Sequence, residues 1–492
     1  MEKGKLRAIM FVGTGSDVGK SVINTGFCRV FLQDGYSPAP FKAQNMSLNS
    51  YATPDELEIG RAQAVQAEAC GIDCSTDMNP ILLKPTTHQS SQVVLNGKPA
   101  GNKSAMDYFR KDDRAELFTH VKAAYNRLSQ SHNPIVLEGA GSISEVNLWD
   151  KDIVNMRMAE HAQAATILIA DIDRGGVFAS LYGSIMLLPP NHRKLIKGII
   201  INKFRGDIRL FDEGRRKIEE LTDVKVLGVL PYFEDVEIEQ EDSVVLDRRK
   251  EIQEGAIKIG IIRLRSLSNF TDFNLLELTK GIALNYISTS EEVAESDIVI
   301  IPGSKNTISD IEFLRSTPLA EAILKHHKSG KPLYGICGGY QIMGEMVYDP
   351  DQIEGNTKEI EGLGILPIES TIEKGKRSRQ SHFKMVNSEV SGIGYEIHSG
   401  VTPTNSPLAI LDDGIADGYH LSDKCWGSYL HGIFDNKGVV EQIIAQTGRA
   451  SEVGKIEDYR AMKERNYDLL AEHIRQYIDM DEVYKILSNE RG

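Results

Sequence analysis

Short apolar runs alternate along the chain with segments whose apolar residues recur at helical spacing. The first run is AIMFVG at residues 8–13, which has the length and composition of a buried strand. The segment after it is KSVINTGFCRVF, whose apolar residues suit one face of a helix: Val22, Ile23, Phe27, Val30 and Phe31. The chain is therefore predicted to begin with a strand, a glycine-rich turn and a helix.

The same alternation continues through both halves of the chain. The strand-like runs of the first half are PIVLEGAG, ATILIADID, IKGIIINKF and KVLGVLPY, and those of the second half are IKIGIIRL, DIVIIPGS, PLYGICGG and WGSYLHGIF. Strands that alternate with helices are typical of parallel sheets covered by helices on both faces. We therefore predict an α/β fold with a parallel sheet in each half.

A charged and weakly patterned stretch separates the two series. FEDVEIEQEDSVVLDRRKEIQEG has the composition of an inter-domain connection. Near the end of the sequence, YDLLAEHIRQYIDMDEVYKIL carries apolar residues at helical spacing. We predict a first domain at 1–235, a linker at 236–256, a second domain at 257–440 and a helical segment at 441–492.

Composition and charge narrow the class of protein. The 492 residues are 41% apolar, enough for two or three domains with their own cores. The net charge of −14, without a basic block, argues against general nucleic-acid binding. We expect a cytoplasmic protein without a membrane segment. The N-terminus has no signal-peptide core, no apolar run has the length of a membrane helix, and the five cysteines are sparse and odd in number.

The turn after the first strand matches most of the sequence signature of a phosphate-binding loop. The usual signature is Gly, four residues, then Gly-Lys-Ser/Thr, but here Thr14 stands at the first glycine position and Gly13 lies one place earlier. Backbone N–H groups of such a turn bind phosphate, the lysine reaches the outer phosphates, and the hydroxyl holds Mg²⁺. The predicted ATP-binding residues are Gly13, Thr14, Gly15, Ser16, Asp17, Val18, Gly19, Lys20 and Ser21.

A second chemical centre is predicted around PLYGICGGYQIMGE. The Gly-x-Cys-x-Gly pattern at Cys337 is typical of a strand-to-helix elbow that presents a nucleophile above a sheet. A cysteine nucleophile needs a base, and His431 lies at the end of another strand-like run. The backbone at Gly338 and at Gly303, in IIPGSKNT, is the predicted oxyanion hole.

These features resemble two protein families. The loop, with its additional residue, is similar to that of the dethiobiotin-synthetase-like ATPases. The second half is similar to the triad-type glutamine amidotransferases, which hydrolyse glutamine through a cysteine thioester. Many of those enzymes have His-x-Glu, in which the Glu orients the His, whereas this chain has Ile433 at that place. The third triad member is therefore unassigned.

Further motifs resemble the cobyric acid synthase family of cobalamin-biosynthesis amidotransferases, in that family's order, from about residue 8 to 435. They are GTGSDVGKS, FKAQNMSLNS, EIGRAQAVQAEACGID, MNPILLKP, DIDRGGVFAS, INKFRGD, PGSKNT, GICGGYQIMG, GYEIHSG and SYLHGIF. The resemblance implies ATP- and glutamine-dependent amidation of the b, d, e and g carboxylates of adenosylcobyrinic acid a,c-diamide. The product is adenosylcobyric acid, formed through an acyl phosphate with ATP and Mg²⁺.

The resemblance also implies roles for single residues. Ser21 and Glu138 are the expected Mg²⁺ ligands, with Glu58 as a weaker candidate, and Asn202 is expected at the nucleotide base. Because the substrate is a polyanion and the protein is acidic, local cations must bind it. The candidates are Lys42 and Lys84, which are best placed in their motifs, and then Arg61, Arg174, Lys203 and Arg205. Glu396 and His398 share a strand face, and their role is open between structure, glutaminase and substrate.

Three alternatives stay open. Cobyrinic acid a,c-diamide synthase has the same domain order, although FKAQNMSLNS and DIDRGGVFAS favour the cobyric acid synthase family. CTP synthase also joins such domains, but it should show His-x-Glu. A regulatory P-loop ATPase has no need of Cys337 and His431. The expected partners are small molecules, namely the corrinoid, glutamine and ATP, without nucleic acid; a homo-oligomer is left open.

Overall fold

The structure is a computed structural model that describes residues 4–87, 90–104, 108, 111–233, 238–239 and 255–488. The chain divides into two compact units. The first is Met1–Met46, Ile59–Glu239 and Lys463–Gly492, and the second is Ser47–Glu58 and Gln240–Met462. Most of the predicted linker at 236–256 lies outside the described residues, which include only 238–239 and 255–256 of it.

The first unit is built on a six-stranded sheet. Its strands are β1 (Ile9–Gly13), β2 (Ala39–Phe41), β3 (Ile135–Glu138), β4 (Ala165–Asp171), β5 (Ile196–Phe204) and β6 (Val226–Pro231). Their order across the sheet is β6-β5-β4-β1-β3-β2, and every neighbouring pair is parallel. This confirms the predicted parallel sheet.

Burial explains why the strands are continuous apolar runs. All five residues of β1 are buried, because helices cover both faces of the sheet. The helix Lys20–Gln33 follows the glycine turn, and its Phe27 ring lies 4.7 Å from the ring of Phe11 on β1. The predicted strand, turn and helix thus form one packed unit that places the turn at the carboxyl end of the sheet.

The remaining elements of the first unit surround this sheet. A second sheet is formed by the strands Gln44–Met46, Ile81–Thr87, Ser90–Leu95 and Lys98–Ser104. In the described part of this unit, the other helices before the C-terminal part are Arg61–Ala69, Lys111–Ser131, Met156–Ala162, Val177–Leu187, Pro190–Arg193 and Asp212–Thr222. Among the described residues, no helix is both long and apolar enough to span a membrane.

Two helices at the C-terminal end, Tyr459–Tyr477 and Met480–Leu487, confirm the predicted helical tail. The helix Lys20–Gln33 approaches the first of them closely at Gly26, where a Cβ atom would collide with Ile474. The tail was predicted as a single segment beginning at residue 441. In the structure the chain clusters with the second unit as far as Met462 and with the first unit from Lys463, because the later residues pack on the core of the first unit.

The second unit contains its own six-stranded sheet. Its strands are β7 (Ile257–Ile262), β8 (Ile282–Ile287), β9 (Ile298–Ile301), β10 (Leu333–Ile336), β11 (Tyr419–Ser422) and β12 (Cys425–Ser428). The order is β8-β7-β9-β10-β12-β11, parallel except for the edge pair of β11 and β12. Between residues 255 and 458, the helices of this unit are Asn274–Leu278, Ser290–Glu295, Thr307–Arg315, Leu319–Lys328, Gly338–Ile342 and Lys437–Ala445.

A seven-stranded sheet in the second unit was not predicted. Its centre is the antiparallel pair Glu369–Met385 and Ser391–Val401, and the second of these strands also pairs with Leu430–His431. The short segment Ser47–Glu58 belongs to this unit, although its neighbours in the chain belong to the first unit. These elements surround the predicted nucleophile and base.

Candidate active sites

The predicted phosphate-binding loop follows β1 along a tight backbone path. A Cβ atom at Gly13 would lie 2.8 Å from the Gly15 carbonyl oxygen and 2.8 Å from Val18 Cγ2, so the loop folds back on its first residue. Asp17 and Gly19 have φ angles of 57° and 96°, in the left-handed region. The additional residue is therefore accommodated within the loop itself.

Lys20 and Asn202 hold this loop from two sides. The buried Lys20 Nζ donates to the carbonyl oxygens of Gly15 at 2.8 Å and Gly141 at 3.1 Å. Asn202, at the carboxyl end of β5, donates through Nδ2 to the carbonyl of Val18 at 2.8 Å. The expectation that Asn202 contacts the nucleotide base stays a prediction, since here its amide binds the loop backbone.

Ser21, Lys42 and Glu138 come together at the ends of three elements. The Ser21 hydroxyl and the Lys42 ammonium each lie 2.9 Å from Oε1 of Glu138. Gln66 donates through Nε2 to the other oxygen of this carboxylate at 2.6 Å. The structure thus joins two predicted Mg²⁺ ligands with a predicted substrate-binding lysine, and it adds Gln66, which the sequence did not single out.

The charge of Lys42 decides the protonation state of Glu138. Burial acts to raise the pKa of Glu138, because the carboxylate is almost entirely removed from water. The ammonium of Lys42, with hydrogen bonds from Gln66 and Ser21, outweighs burial and lowers this pKa below its usual range. Glu138 is therefore an anion at neutral pH, as a metal-binding carboxylate must be.

The other predicted cations of the first unit have acidic partners or are buried. Arg61 pairs with Glu239 at 2.6 Å, and Lys84 is 3% exposed on the strand Ile81–Thr87. Three ion pairs lie near the carboxyl ends of β4 and β5: Lys203 with Asp171 at 2.9 Å, Arg174 with Asp17 at 3.3 Å and Arg205 with Asp173 at 3.1 Å. Substrate binding by these residues stays a prediction.

Glu58 belongs to the second unit and is also fully buried. Its Oε2 atom accepts from Lys376 Nζ at 2.6 Å, in an ion pair that neutralises both charges. Its assignment as a weaker Mg²⁺ candidate stays a prediction.

Cys337 lies at a strand-to-helix elbow in the second unit. It follows β10 directly and precedes the helix Gly338–Ile342, with φ and ψ of 51° and −110°. A non-glycine residue with positive φ is strained, and a nucleophile elbow stores this kind of strain. The Cys337 N–H donates to the Ser428 carbonyl at 2.8 Å, which ties the elbow to β12.

His431 lies beside Cys337 and is oriented by Asp272. Its ring is buried, and Cys337 lies close enough on one side to raise its pKa. On the other side, Nδ1 lies 2.7 Å from Oδ2 of the buried Asp272, whose Oδ1 accepts from the Gly432 N–H at 3.0 Å. Cys337, His431 and Asp272 thus have the arrangement of a catalytic triad. The roles of Cys337 as nucleophile and His431 as base stay predictions.

Asp272 also determines the charge of His431. Burial acts to lower the pKa of this imidazole, but the charges of Asp272 and Cys337 and their hydrogen bonds raise it to about 10. His431 is therefore an imidazolium at neutral pH. A group in this state can donate a proton to a leaving nitrogen.

Gly303 lies against the ring of His431, and Gly338, which follows Cys337, lies against Ser304. A Cβ atom at Gly338 would lie 2.8 Å from the Ser304 nitrogen, and one at Gly303 would lie 3.0 Å from His431 Cε1. The turns that carry Gly303 and Gly338 therefore approach each other so closely at the elbow that a Cβ atom on Gly338 would collide with Ser304. Their assignment as an oxyanion hole stays a prediction that this close approach supports.

Glu396 and His398 lie on one strand face, as expected, and are 3.2 Å apart. Glu396 also forms an ion pair with Arg379. Burial acts to raise the pKa of Glu396, but His398 and Arg379 outweigh burial and lower it below its usual range. Between them, the carbonyl of Ile397 lies 3.8 Å from Cys337 Sγ. The pair is therefore close to the nucleophile, which favours a link to the glutaminase over the other two roles.

Sequence reasoning missed Asp272 because no local pattern marks it. It lies in the short turn Phe270–Phe273, and it meets a histidine 159 residues later in the chain. The expected place for an orienting carboxylate was two residues after the histidine, where Ile433 stands. Only the tertiary fold supplies the third triad member.

Two known protein families match the two halves of the chain. A family described as the CobQ/CobB/MinD/ParA nucleotide binding domain matches residues 9–245, which contain the phosphate-binding loop and Glu138. A family described as the CobB/CobQ-like glutamine amidotransferase domain matches residues 258–439, which contain all three triad residues.

Curated relatives match the chain over nearly its whole length. Cobyric acid synthase of Parabacteroides distasonis is 54% identical over 496 residues, covering 99% of this chain and 100% of that protein. The enzyme of Phocaeicola vulgatus is 53% identical, covering 99% of each chain, and that of Bacteroides fragilis is 52% identical, covering 98% of this chain and 99% of that protein. The predicted family is thereby confirmed: the chain belongs to the cobyric acid synthase family of glutamine-dependent amidating ligases.

Proposed function

We propose that the protein amidates the b, d, e and g carboxylates of adenosylcobyrinic acid a,c-diamide, giving adenosylcobyric acid at the expense of ATP and glutamine. The observation that carries this proposal is the pairing of two chemical centres in one chain. One is a complete Cys337–His431–Asp272 triad, and the other is a phosphate-binding loop beside Lys42 and Glu138. The relatives are named cobyric acid synthase, and this name supplies the product, cobyric acid.

Activation of the carboxylate is assigned to the first unit. A carboxylate does not react with ammonia in water, so one of its oxygens attacks the γ-phosphorus of ATP, ADP leaves and an acyl phosphate forms. Ammonia then attacks the acyl carbon, and phosphate leaves. Backbone N–H groups of the loop and Lys20 stabilise the charge that develops on the phosphoryl oxygens. Lys42, which lies next to Ser21, adds a second positive charge at this site.

The residues present fit a magnesium ion. Mg²⁺ prefers oxygen ligands and usually takes one or two protein groups, with phosphates and waters for the rest. The Ser21 hydroxyl and the ionised Glu138 carboxylate are such a pair, 2.9 Å apart. Ser21 and Glu138 would therefore hold the ion, which supplies charge neutralisation to the ATP phosphates.

Ammonia production is assigned to the triad. His431 holds the proton of the Cys337 thiol, so the thiolate attacks the side-chain amide carbon of glutamine. The imidazolium then gives this proton to the departing nitrogen, which leaves as ammonia. The neutral imidazole then takes a proton from water, whose oxygen attacks the thioester, and glutamate leaves. Asp272 keeps Nδ1 of His431 protonated and oriented throughout, while the N–H groups at Gly303 and Gly338 bind the oxyanion.

Lys42 and Lys84 are the proposed corrinoid-binding residues. Both are buried, so a carboxylate that reaches them is attracted in a medium of low dielectric constant. Lys42 holds Glu138, so it also links the substrate carboxylate to the phosphoryl site.

The test is a mass measurement of the product. The protein is incubated with ATP, Mg²⁺, glutamine and adenosylcobyrinic acid a,c-diamide, and we expect four amides to be added. Addition to cobyrinic acid instead, at the a and c positions, would identify the protein as the a,c-diamide synthase. No amidation of either corrinoid would reject the proposed substrate class.

Two variants separate the two centres in this assay. Cys337→Ala should lose amidation from glutamine but keep amidation from ammonium at high concentration, because activation does not involve the thiol. Lys20→Ala should lose amidation from both nitrogen donors while glutamine hydrolysis persists. Equal loss of amidation from both donors in Cys337→Ala would contradict the division of labour.

A further inference from the structure

The turn that carries Asp272 is held by a segment from a distant part of the sequence. Phe270–Phe273 is a single 3₁₀ turn that begins after Asn269, a buried residue with φ of 53°. The start of a turn this short must be fixed from outside, because its own hydrogen bonds do not define the direction of the Asp272 carboxylate.

Asn49 and Ser50 supply this fixation through two hydrogen bonds. The Phe270 N–H donates to Oδ1 of Asn49 at 3.0 Å, and the Ser50 N–H donates to Oδ1 of Asn269 at 3.0 Å. Asn49, Ser50 and Asn269 are each at most 3% exposed, so water does not compete for these bonds. The two bonds run in opposite directions and clamp the start of the turn.

Tyr51 reaches the other side of the triad through a second aromatic ring. Its ring centroid lies 4.6 Å from that of Tyr395, and Tyr395 stacks on the imidazole of His431 at 5.3 Å with an interplanar angle of 25°. Ala52 adds to the same cluster by packing with Tyr395 and Ile397. Residues 49–52 therefore contact both the turn that carries Asp272 and the tyrosine that stacks on His431.

We propose that Asn49, Ser50 and Tyr51 are positioning residues of the glutaminase centre, which is incomplete without them. The inference rests on the proposed glutaminase role of Cys337, but not on the identity of the corrinoid. It adds to the triad three residues that the amidotransferase family match, at 258–439, does not contain. They lie instead inside the match to the nucleotide binding domain, at 9–245.

One sequence motif provides residues to both chemical centres. FKAQNMSLNS contains Lys42, which binds Glu138 in the first unit, and Asn49 and Ser50, which clamp the Asp272 turn in the second unit. A single motif thus provides one residue to the phosphoryl site and two to the glutaminase centre. An amidotransferase domain defined only by residues 258–439 lacks part of what orients its triad.

The test compares variants of the full-length protein by their glutamine hydrolysis. Asn49→Ala removes the acceptor for the Phe270 N–H, and Tyr51→Ala removes the ring that supports Tyr395. Tyr51→Phe keeps that ring and is the conservative rescue. Asp55→Ala is the matched control, because Asp55 is exposed in the same segment and lies away from these contacts.

We expect Asn49→Ala and Tyr51→Ala to lower kcat for glutamine by roughly 10- to 100-fold, since a shift of about 1 Å in a catalytic group has a cost of this order. The KM for glutamine should change much less, because the triad acts after glutamine has bound. Tyr51→Phe and Asp55→Ala should keep kcat within about twofold of the wild type. Amidation from ammonium should be unchanged in all four variants.

Three possible outcomes show whether these residues position the triad, have no role in glutamine hydrolysis or only stabilise the protein. A kcat within twofold of the wild type in both Asn49→Ala and Tyr51→Ala would overturn the proposal. Equal loss of glutamine hydrolysis and of ammonium-dependent amidation would also overturn it, because it would indicate general destabilisation. If no protein amidates a corrinoid but the two alanine variants lose glutamine hydrolysis as expected, the positioning role stands and only the proposed substrate fails.

Discussion

Oδ2 of Asp272 lies 2.7 Å from Nδ1 of His431, and both side chains are buried. This pair gives the glutaminase an orienting carboxylate that comes from a turn after β7 rather than from the strand end that carries the histidine. The same carboxylate binds the Gly432 N–H at 3.0 Å, so it fixes the backbone as well as the ring. The geometry of the nucleophile and base therefore depends on a distant turn.

Replacement of this carboxylate should damage glutamine hydrolysis. Asp272→Asn keeps the shape but favours the wrong imidazole tautomer, a change that costs about 10⁴-fold in a serine protease triad. We expect a loss of at least roughly 100-fold in kcat for glutamine by the same principle, and little change in ammonium-dependent amidation. A rate near that of the wild type would show that Asp272 has no catalytic consequence.

The same substitution should change how stability depends on pH. The pKa of His431 is raised to about 10, so its proton stabilises the folded state fully below the ordinary histidine pKa of about 6.5. This contribution is lost as the pH rises through the folded-state value. The difference in unfolding free energy between wild type and Asp272→Asn should therefore be largest near pH 6 and should shrink towards pH 10.

Urea denaturation at several pH values measures this difference directly. Asp413→Asn is a suitable control, because Asp413 forms its ion pair with Arg379 and not with His431, and its lowered pKa keeps it ionised from pH 6 to 10. A gap between wild type and Asp272→Asn that stays constant from pH 6 to 10 would mean that His431 is not the group whose pKa the carboxylate raises.

The sequence predicted the parts of the fold that have local signals. β1 and β4 are continuous apolar runs because both faces of their sheet are covered, and the loop between β1 and its helix is marked by glycines and a lysine. The elbow at Cys337 was predicted for the same reason: its glycines are local and the strand before it is apolar.

The parts that were missed depend on contacts between distant residues. Asp272 has no motif around it, and its partner is far away in the chain. The strand Glu369–Met385 is mostly polar, with Ile372, Phe383 and Met385 as its only large apolar residues, because much of it is exposed. A search for apolar, buried strands therefore passes over it. Membership of Ser47–Glu58 in the second unit follows from tertiary contacts alone.

The buried pair of Lys42 and Glu138 should be sensitive to removal of either charge. Their side chains are 8% and 1% exposed, and breaking a buried pair from one side costs about 3–5 kcal/mol. Lys42→Met should therefore destabilise the protein strongly at pH 7. Combining it with Glu138→Gln should recover much of the loss, because no buried charge is then left alone.

The pH dependence of this effect has the opposite sign to that at His431. The pKa of Glu138 is lowered, so its ionised form stabilises the fold above the ordinary carboxyl pKa of about 4.3, and this contribution is lost as the pH falls through the lowered value. The stability of Lys42→Met should approach that of the wild type as the pH falls below about 4.3 and through the lowered pKa of Glu138. A gap that widens on acidification would contradict the pairing.

Gly338 should tolerate no side chain. In Gly338→Ala the Cβ atom would lie 2.8 Å from the Ser304 nitrogen and 2.8 Å from its Cβ, so one of the two turns must move. Because the misplacement is on the order of 1 Å, we expect roughly a 100-fold loss of glutamine hydrolysis. The measurement is glutamate release, with ammonium-dependent amidation as the internal control. Unchanged glutamate release would show that Gly338 is not part of the oxyanion hole.

The additional residue of the phosphate-binding loop gives the last prediction. Deleting Ser16 would restore the usual count of four residues between Gly13 and Gly19. In the structure, however, Gly15 accepts from Lys20 at 2.8 Å and Val18 accepts from Asn202 at 2.8 Å, and these two residues lie on opposite sides of the deletion. A chain one residue shorter cannot keep both bonds, so the loop N–H groups move out of register with the phosphates.

The deletion should therefore nearly abolish ATP-dependent amidation from both glutamine and ammonium, since a 1 Å misplacement already costs about 100-fold. Glutamine hydrolysis at Cys337 should persist, because the triad residues all lie in the other unit. Replacing Ser16 by alanine, which keeps the loop length, is the matched control and should retain most activity. Amidation at the wild-type rate by the shortened loop would show that the additional residue is dispensable for binding ATP.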